Sequence, residues 1–356
     1  MMGRSLVFVV SVLLSLATQA SVRGYDNSLA DFPRRKGESD DTARFRRAIN
    51  ATGGGVLYVP RGDYDITSTL RITNSCALSM HKNAKLIAKR QMWYVVEVRN
   101  KPWNVSDSLD FIEGGIIDGN GLASCLLLYS YWRYNVNNIK LYNPKGFGLY
   151  VGNTGAELVA NGVYVRTSMK GLAGNVGLYL EGGDSHYNDI FVLDCTTGVL
   201  VRGPSNRLTR IHVWGGLVPP RVKGGIPEML EKSICFHLEG ASTILRDCYA
   251  DTGQTGFLVK DADVRLLGCS YFNNRKFGLD DIVIIRQTGE TGSLLVSDCS
   301  FARVSKTEKI RAYEGNGNVR WRDNFYAGNW EGVPCPGAKA DETGRPLGSS
   351  NVKLAE

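Results

Sequence analysis

One pattern recurs along most of the chain: two apolar residues in alternation, a polar residue or glycine, a spacer, and a second alternating apolar strand often opened by glycine. Aligning the first apolar residue of each unit gives Ile139, Val163, Ile190, Ile211, Thr243, Val264, Leu294 and Val319. Four positions later stand Asn143, Thr167, Asp194, Gly215, Asp247, Gly268, Asp298 and Asp323, read as turn residues. The anchors lie 21 to 32 residues apart, which is the length of one coil of a β-solenoid and too irregular for leucine-rich or ankyrin repeats. One coil cannot bury its apolar face alone, so stacked coils must share a continuous core. The expectation is an all-β chain wound as a parallel β-helix.

The alignment also places Cys195, Cys248, Cys269 and Cys299 on one repeat position, directly after the turn residue. Side chains at one repeat position stack in successive coils about 4.8 Å apart. A ladder of buried free thiols is therefore preferred to a disulfide framework for these four of the eight cysteines, although Cys248 and Cys269 would be close enough to bond.

The second strand of each coil reads Gly148-Leu-Tyr-Val, Gly177-Leu-Tyr-Leu, Gly198-Val-Leu-Val, Cys235-Phe-His-Leu and Gly256-Phe-Leu-Val. Alternation sends the middle residue outward, giving an external column of Tyr150, Tyr179, Leu200, His237 and Leu258. Two residues further on, the same face carries Gly152, Glu181, Arg202, Glu239 and Lys260.

Ahead of the coils, Asp40-Asp-Thr-Ala-Arg-Phe-Arg-Arg-Ala-Ile49 reads as an Asp-capped amphipathic helix, placed to cover the open edge of the first coil. Gly53-Gly-Gly-Val-Leu-Tyr-Val-Pro-Arg-Gly-Asp-Tyr64 follows as a turn and first strand. These segments, with Gly114-Gly-Ile-Ile-Asp-Gly-Asn-Gly121, resemble the rhamnogalacturonase/epimerase-like pectate lyase family of the pectin-lyase-like superfamily. The resemblance implies a right-handed parallel β-helix with an N-terminal capping helix and a polysaccharide substrate. It leaves the reaction open, because this fold hosts lyases, hydrolases, epimerases and tailspikes.

Arg4, the apolar run Leu6 to Leu16 and the exit Ala17-Thr-Gln-Ala20 have the form of a secretory signal peptide. The domain plan is then a leader over 1–20, an arm over 21–37, the β-helix over 38–325 and an irregular tail over 326–356. The formal net charge of +7, from 42 basic and 35 acidic residues, is mild and scattered. It suits an acidic glycan without requiring one. No polybasic tail or nucleic-acid motif is present, so the expected partner is a polysaccharide, with neither nucleic acid nor membrane.

The outward face supplies the candidate chemistry. Glu181 and Glu239 stand two coils apart with Arg202 between them, so their expected separation of about 9 to 10 Å is near the upper end for an inverting glycosidase. Hydrolysis through this pair is slightly preferred. Lysis would instead use His237 or a deprotonated Tyr179 as base and Arg202 to stabilise enolate-like charge. Asp184 and His186 follow Glu181 closely enough to join the site, and Tyr150 and Lys260 are expected to bind substrate. The insertion from Gly215 to Ser233 would wall a groove. His212 and Trp214 are read as surface or oligomer contacts. The alternation of Glu181, Arg202, Glu239 and Lys260 in sign is equally that of a solvated ion-pair ladder, and a non-catalytic glycan-binding β-helix is the competing reading. A homotrimer would accompany a tailspike-like role, against which the leader argues. No cofactor is expected: calcium would need Asp261, Asp263, Asp280 and Asp281 to converge, and no metal site is assigned.

Overall fold

The computed structural model describes residues 24–100, 110–168, 174–215, 233–273, 281–303, 309–315, 317–328 and 352–353. Residues 1–20, residues 216–232 of the expected groove wall, Asp280 and most of the C-terminal segment lie outside them. Among the described residues no helix is long and apolar enough to cross a membrane.

The chain winds as a parallel β-solenoid. Each full coil contributes three strands, as in Asn135–Asn137, Lys140–Tyr142 and Phe147–Val151, followed by Val159–Asn161, Tyr164–Arg166 and Val176–Leu180. Stacking them gives three parallel faces, called here sheets one, two and three. Sheets one and two share one hydrogen-bonded network, because Ala77–Ala88 and Phe111–Asp118 each run through the corner and pair on both faces. Sheet three is a separate stack of ten strands from Leu70–Ile72 to Ile310–Glu314.

The corner between sheets one and two is a single residue in the left-handed conformation. Asn138, Gly162, Asp189, Arg210, Asp247, Gly268, Asp298 and Asp323 occupy it, with φ from 51° to 64°, and Asn, Asp and Gly are the residues that enter this region most cheaply. The sequence alignment identified only the last four. Both ends of sheet two show alternating apolar residues followed by a polar one, so the anchors through Ile211 mark the start of sheet two whereas those from Thr243 onward mark the start of sheet one, one strand earlier. As a result Cys248, Cys269 and Cys299 do stack, on the coil position of Ile211. Cys195 does not: it ends the strand Phe191–Cys195 at the opposite corner, 3.6 Å from Thr167 Oγ1. The seven described cysteines are free and buried.

The glycines opening the sheet-three strands have a packing cause. A Cβ on Gly177 or Gly198 would lie 2.2 Å from the Val192 or Val213 side chain of sheet two. The two sheets converge there, leaving room for no side chain.

Helix Thr42–Ala51 buries Phe45, Ala48 and Ile49 in the same core as Leu57, Ile66 and Leu70, closing the first coil. The expected Asp cap takes a different form. Asp40 accepts from the Thr42 backbone N–H at 2.8 Å, whereas buried Asp41 pairs with Arg34 and Arg44 and accepts from Asp65 N–H. In the arm, Asn27–Ser28 pairs with Leu57 and Tyr58, and Leu29 is fully buried. At the other end the coils extend through Phe325–Gly328, beside which Val352–Lys353 adds a parallel strand.

Candidate active site on sheet three

Backbone register aligns Arg71, Glu97, Leu127, Tyr150, Tyr179, Leu200, His237, Leu258, Arg286 and Glu314 in one outward column. The five positions expected from alternation are all in it. Glu181, Arg202 and Glu239 follow just beyond their strand ends, where each N–H bonds to a carbonyl of the preceding coil.

These side chains form a continuous polar relay. Tyr150 and Tyr179 each donate a phenolic hydrogen bond to Glu181, to Oε2 and Oε1 respectively, at 2.6 Å. Arg202 donates through one terminal nitrogen to the Tyr179 oxygen at 2.5 Å and through Nε to Glu239 Oε2 at 2.8 Å. Glu239 Oε1 lies 3.1 Å from His237 Nε2 and 3.9 Å from Lys260 Nζ. The His237 contact is of ion-pair length but is not aligned as a hydrogen bond. Seven of the nine residues singled out from the sequence are thus joined: Tyr150, Tyr179, Glu181, Arg202, His237, Glu239 and Lys260.

Burial sets the protonation of the relay. Desolvation holds the His237 imidazole below the usual histidine value, with Lys260 and Arg202 adding to the effect and Glu239 opposing it. Desolvation and the bond to Glu181 push Tyr179 up to about 12, and the same causes raise Tyr150. Tyr179 is therefore held as a phenol that donates a hydrogen bond to Glu181, which counts against the deprotonated Tyr179 considered as a base.

Asp184 and His186 are not brought to this site. Asp184 is an exposed left-handed turn residue, and exposed His186 opens the next strand of sheet one, paired with Val159 and Arg207. Among the described residues neither makes a polar contact with the relay. His212 lies on sheet two, stacked on Tyr249 at 4.5 Å and beside Phe191. The carboxylates weighed for calcium have other partners: Asp261 accepts from Glu290 and Thr291, Asp263 from Ser293, and Asp281 pairs with Arg311.

The sequence reading missed the approach to the relay. Phe147 stacks on Tyr179 with ring centroids 5.0 Å apart, and Tyr94 lies 6.3 Å from Tyr150. Trp93, 86% exposed, continues the aromatic surface. Trp93, Tyr94 and Phe147 line a groove of about 580 Å³ with Lys145 and Gln91. The missed signal was the aromatic pair Trp93-Tyr94 opening a sheet-three strand that lacks the glycine mark of later coils.

No family model matches the chain. Among curated proteins it is 26% identical over 139 residues to the SPbeta prophage-derived uncharacterized protein YomE of Bacillus subtilis (strain 168), a match covering 35% of this chain and 21% of that protein. The chain thus spans about a fifth of that relative. Among solved structures, the A-module of mannuronan C-5 epimerase AlgE4 from Azotobacter vinelandii superposes with a TM-score of 0.57 at 16% identity, covering 85% of this chain and 96% of the module. This chain has the pectin-lyase-like right-handed β-helix fold. Endo-xylogalacturonan hydrolase from Aspergillus tubingensis shares it, with a TM-score of 0.54 at 13% identity over 91% of this chain and 98% of the hydrolase. Pectin-lyase-like neighbours thus perform different reactions on one scaffold, and the sheet-three side chains must supply any argument about chemistry.

Proposed function

We propose that the protein is a secreted polysaccharide-processing enzyme whose sheet-three face abstracts a proton beside the carboxylate of a uronate-containing chain. The observation that carries this reading is the pairing of a half-buried, neutral-tending His237 with a phenolic Tyr179 in one relay through Arg202 and Glu239. Glu239 beside Nε2 favours the tautomer with its hydrogen there, leaving the lone pair on Nδ1. In β-elimination His237 takes the proton from the carbon next to the carboxylate, and that electron pair forms a carbon–carbon double bond as the glycosidic C–O bond breaks. Tyr179 then gives its proton to the departing oxygen. Both groups return to their starting states by proton exchange with water. Arg202 and Lys260 offset the charge that develops on the carboxylate, and the aromatic groove holds the neighbouring sugars by stacking. The leader-like N-terminal sequence supports action outside the cell.

Hydrolysis through Glu181 and Glu239 is the second reading, favoured by their placement on alternate coils around Arg202. It needs one of the two to be a proton donor, whereas phenols donate to both oxygens of Glu181 and Glu239 faces three basic side chains. Incubation with acidic and neutral polysaccharides separates the readings. Ultraviolet absorbance from unsaturated uronate ends supports elimination, and new reducing ends without it support hydrolysis. Neither signal across the set would leave a glycan-binding role.

A further inference from the structure

The C-terminal half of sheet one carries a surface of a different kind. Register puts Arg207, Ile244, Arg265, Leu295 and Arg320 in one outward column, so an arginine recurs on every second coil with an aliphatic side chain between. Arg246 and Arg322 belong to the adjacent column, two residues further along their strands. Arg246, Arg265, Arg320 and Arg322 are exposed. Among the described residues none of the five arginines is in an ion pair, and Arg207 donates to the carbonyls of Asn206 and Ser242. The first column lines a groove of about 630 Å³. Among its lining residues the single carboxylate is Asp263, already bound by the backbone N–H and hydroxyl of Ser293 at 2.9 and 2.7 Å.

Five permanent cations on one face repel one another, and with no ion-pair partner among the described residues they raise the local potential for an anion. Their spacing identifies its shape. Every second coil means a repeat of about 9 to 10 Å, and an extended pyranose chain advances about one coil step per sugar. Carboxylates on alternate sugars would then meet the guanidinium forks, which bind carboxylates in two-point geometry, while Ile244 and Leu295 face the apolar side of the sugars between. A nucleic acid fits less well. Its phosphates recur about every 3.4 Å along each duplex strand, and among the described residues no aromatic side chain lines the groove to stack on unpaired bases. We infer that this face is a second binding site for a linear anionic polysaccharide laid along the solenoid axis, separate from the sheet-three site.

Calorimetric titration with a short oligouronate tests the inference on the full chain. The wild type should bind two ligands per protein, and the exposed-site double variant R265Q/R320Q should bind one, with the second site weakened more than roughly tenfold. Turnover of the oligouronate and melting temperature should be unchanged. R265K/R320K, which keeps the charge but not the fork, should fall between. If the sheet-three reading fails, the wild type will show one site and R265Q/R320Q none, so the two proposals fail separately. An unchanged number of sites in R265Q/R320Q would overturn the inference. So would absence of oligouronate binding by the wild type, or Arg265- and Arg320-dependent binding of polyadenylate tighter than that of polyuronate.

Discussion

Arg202 donates through Nε to Glu239 Oε2 at 2.8 Å while its other arm reaches the Tyr179 oxygen, so one guanidinium joins three successive coils of sheet three. Arg202 is 48% exposed, and a surface pair of this kind contributes about 0 to 1 kcal/mol to stability. Its value to the protein is positional. Arg202→Lys cannot hold both partners in the same plane. It is expected to lower turnover by about a hundredfold or more while the melting temperature barely moves. A large fall in melting temperature with turnover retained would make the relay a structural ladder.

The depressed affinity of His237 for its proton gives two pH effects. Activity should rise with pH through a value below about 6.5, the unperturbed histidine value, and then level off, because the Tyr179 phenol is held up to about 12. Stability has the same sign. The unfolded chain binds the His237 proton more tightly than the folded one, so this group's contribution is fully present above about 6.5 and is lost as pH falls through the lower folded value. In denaturant melts at successive pH values the stability of the wild type relative to His237→Phe should fall as pH drops through that window, whereas a difference that does not change with pH would mean that another group is responsible.

Much of this site was legible in the sequence because each sheet-three strand repeats the same short alternation, and a period of two fixes which side chains leave the core. Tyr150, Tyr179, His237, Glu181, Arg202, Glu239 and Lys260 followed from that alone. What failed was discrimination between corners. Asn138, Gly162, Asp189 and Arg210 look no more like turns than Asn143 and Asp194, which are left-handed as well, so the first four anchors stand one strand later in the coil than the last four, and Cys195 falls at a different corner from Cys248, Cys269 and Cys299. Nearness in sequence also misled: Asp184 and His186 are close to Glu181 along the chain, but Asp184 lies in the corner and His186 opens a strand of sheet one. Trp93 was invisible because it stands just ahead of its strand, outside the alternation, and its place on the groove shows only in the structure.

The exposed Trp93 should bind sugar rather than take part in proton transfer. Trp93→Ala is expected to raise KM by about tenfold with little change in kcat, the signature of lost binding shared by ground state and transition state. The check is a full saturation curve on a long polymer, with a disaccharide as the control too short to reach the groove.

Gly198 tests the close approach of sheets two and three. A methyl group there would stand 2.2 Å from Val213 Cγ1 and 2.6 Å from the Cys235 carbonyl oxygen. Gly198→Ala should cost about 1 to 3 kcal/mol by overpacking, read as a lower denaturation midpoint with an unchanged slope.

The most direct test of the proposed chemistry is the initial rate of ultraviolet absorbance gain on a polyuronate, for the wild type and His237→Ala at neutral pH. The account predicts a steady rise for the wild type and a rate about 10² to 10⁴ times lower for His237→Ala, with the variant still folded. Equal rates for the two proteins, or reducing ends appearing from the wild type without any absorbance gain, would contradict it.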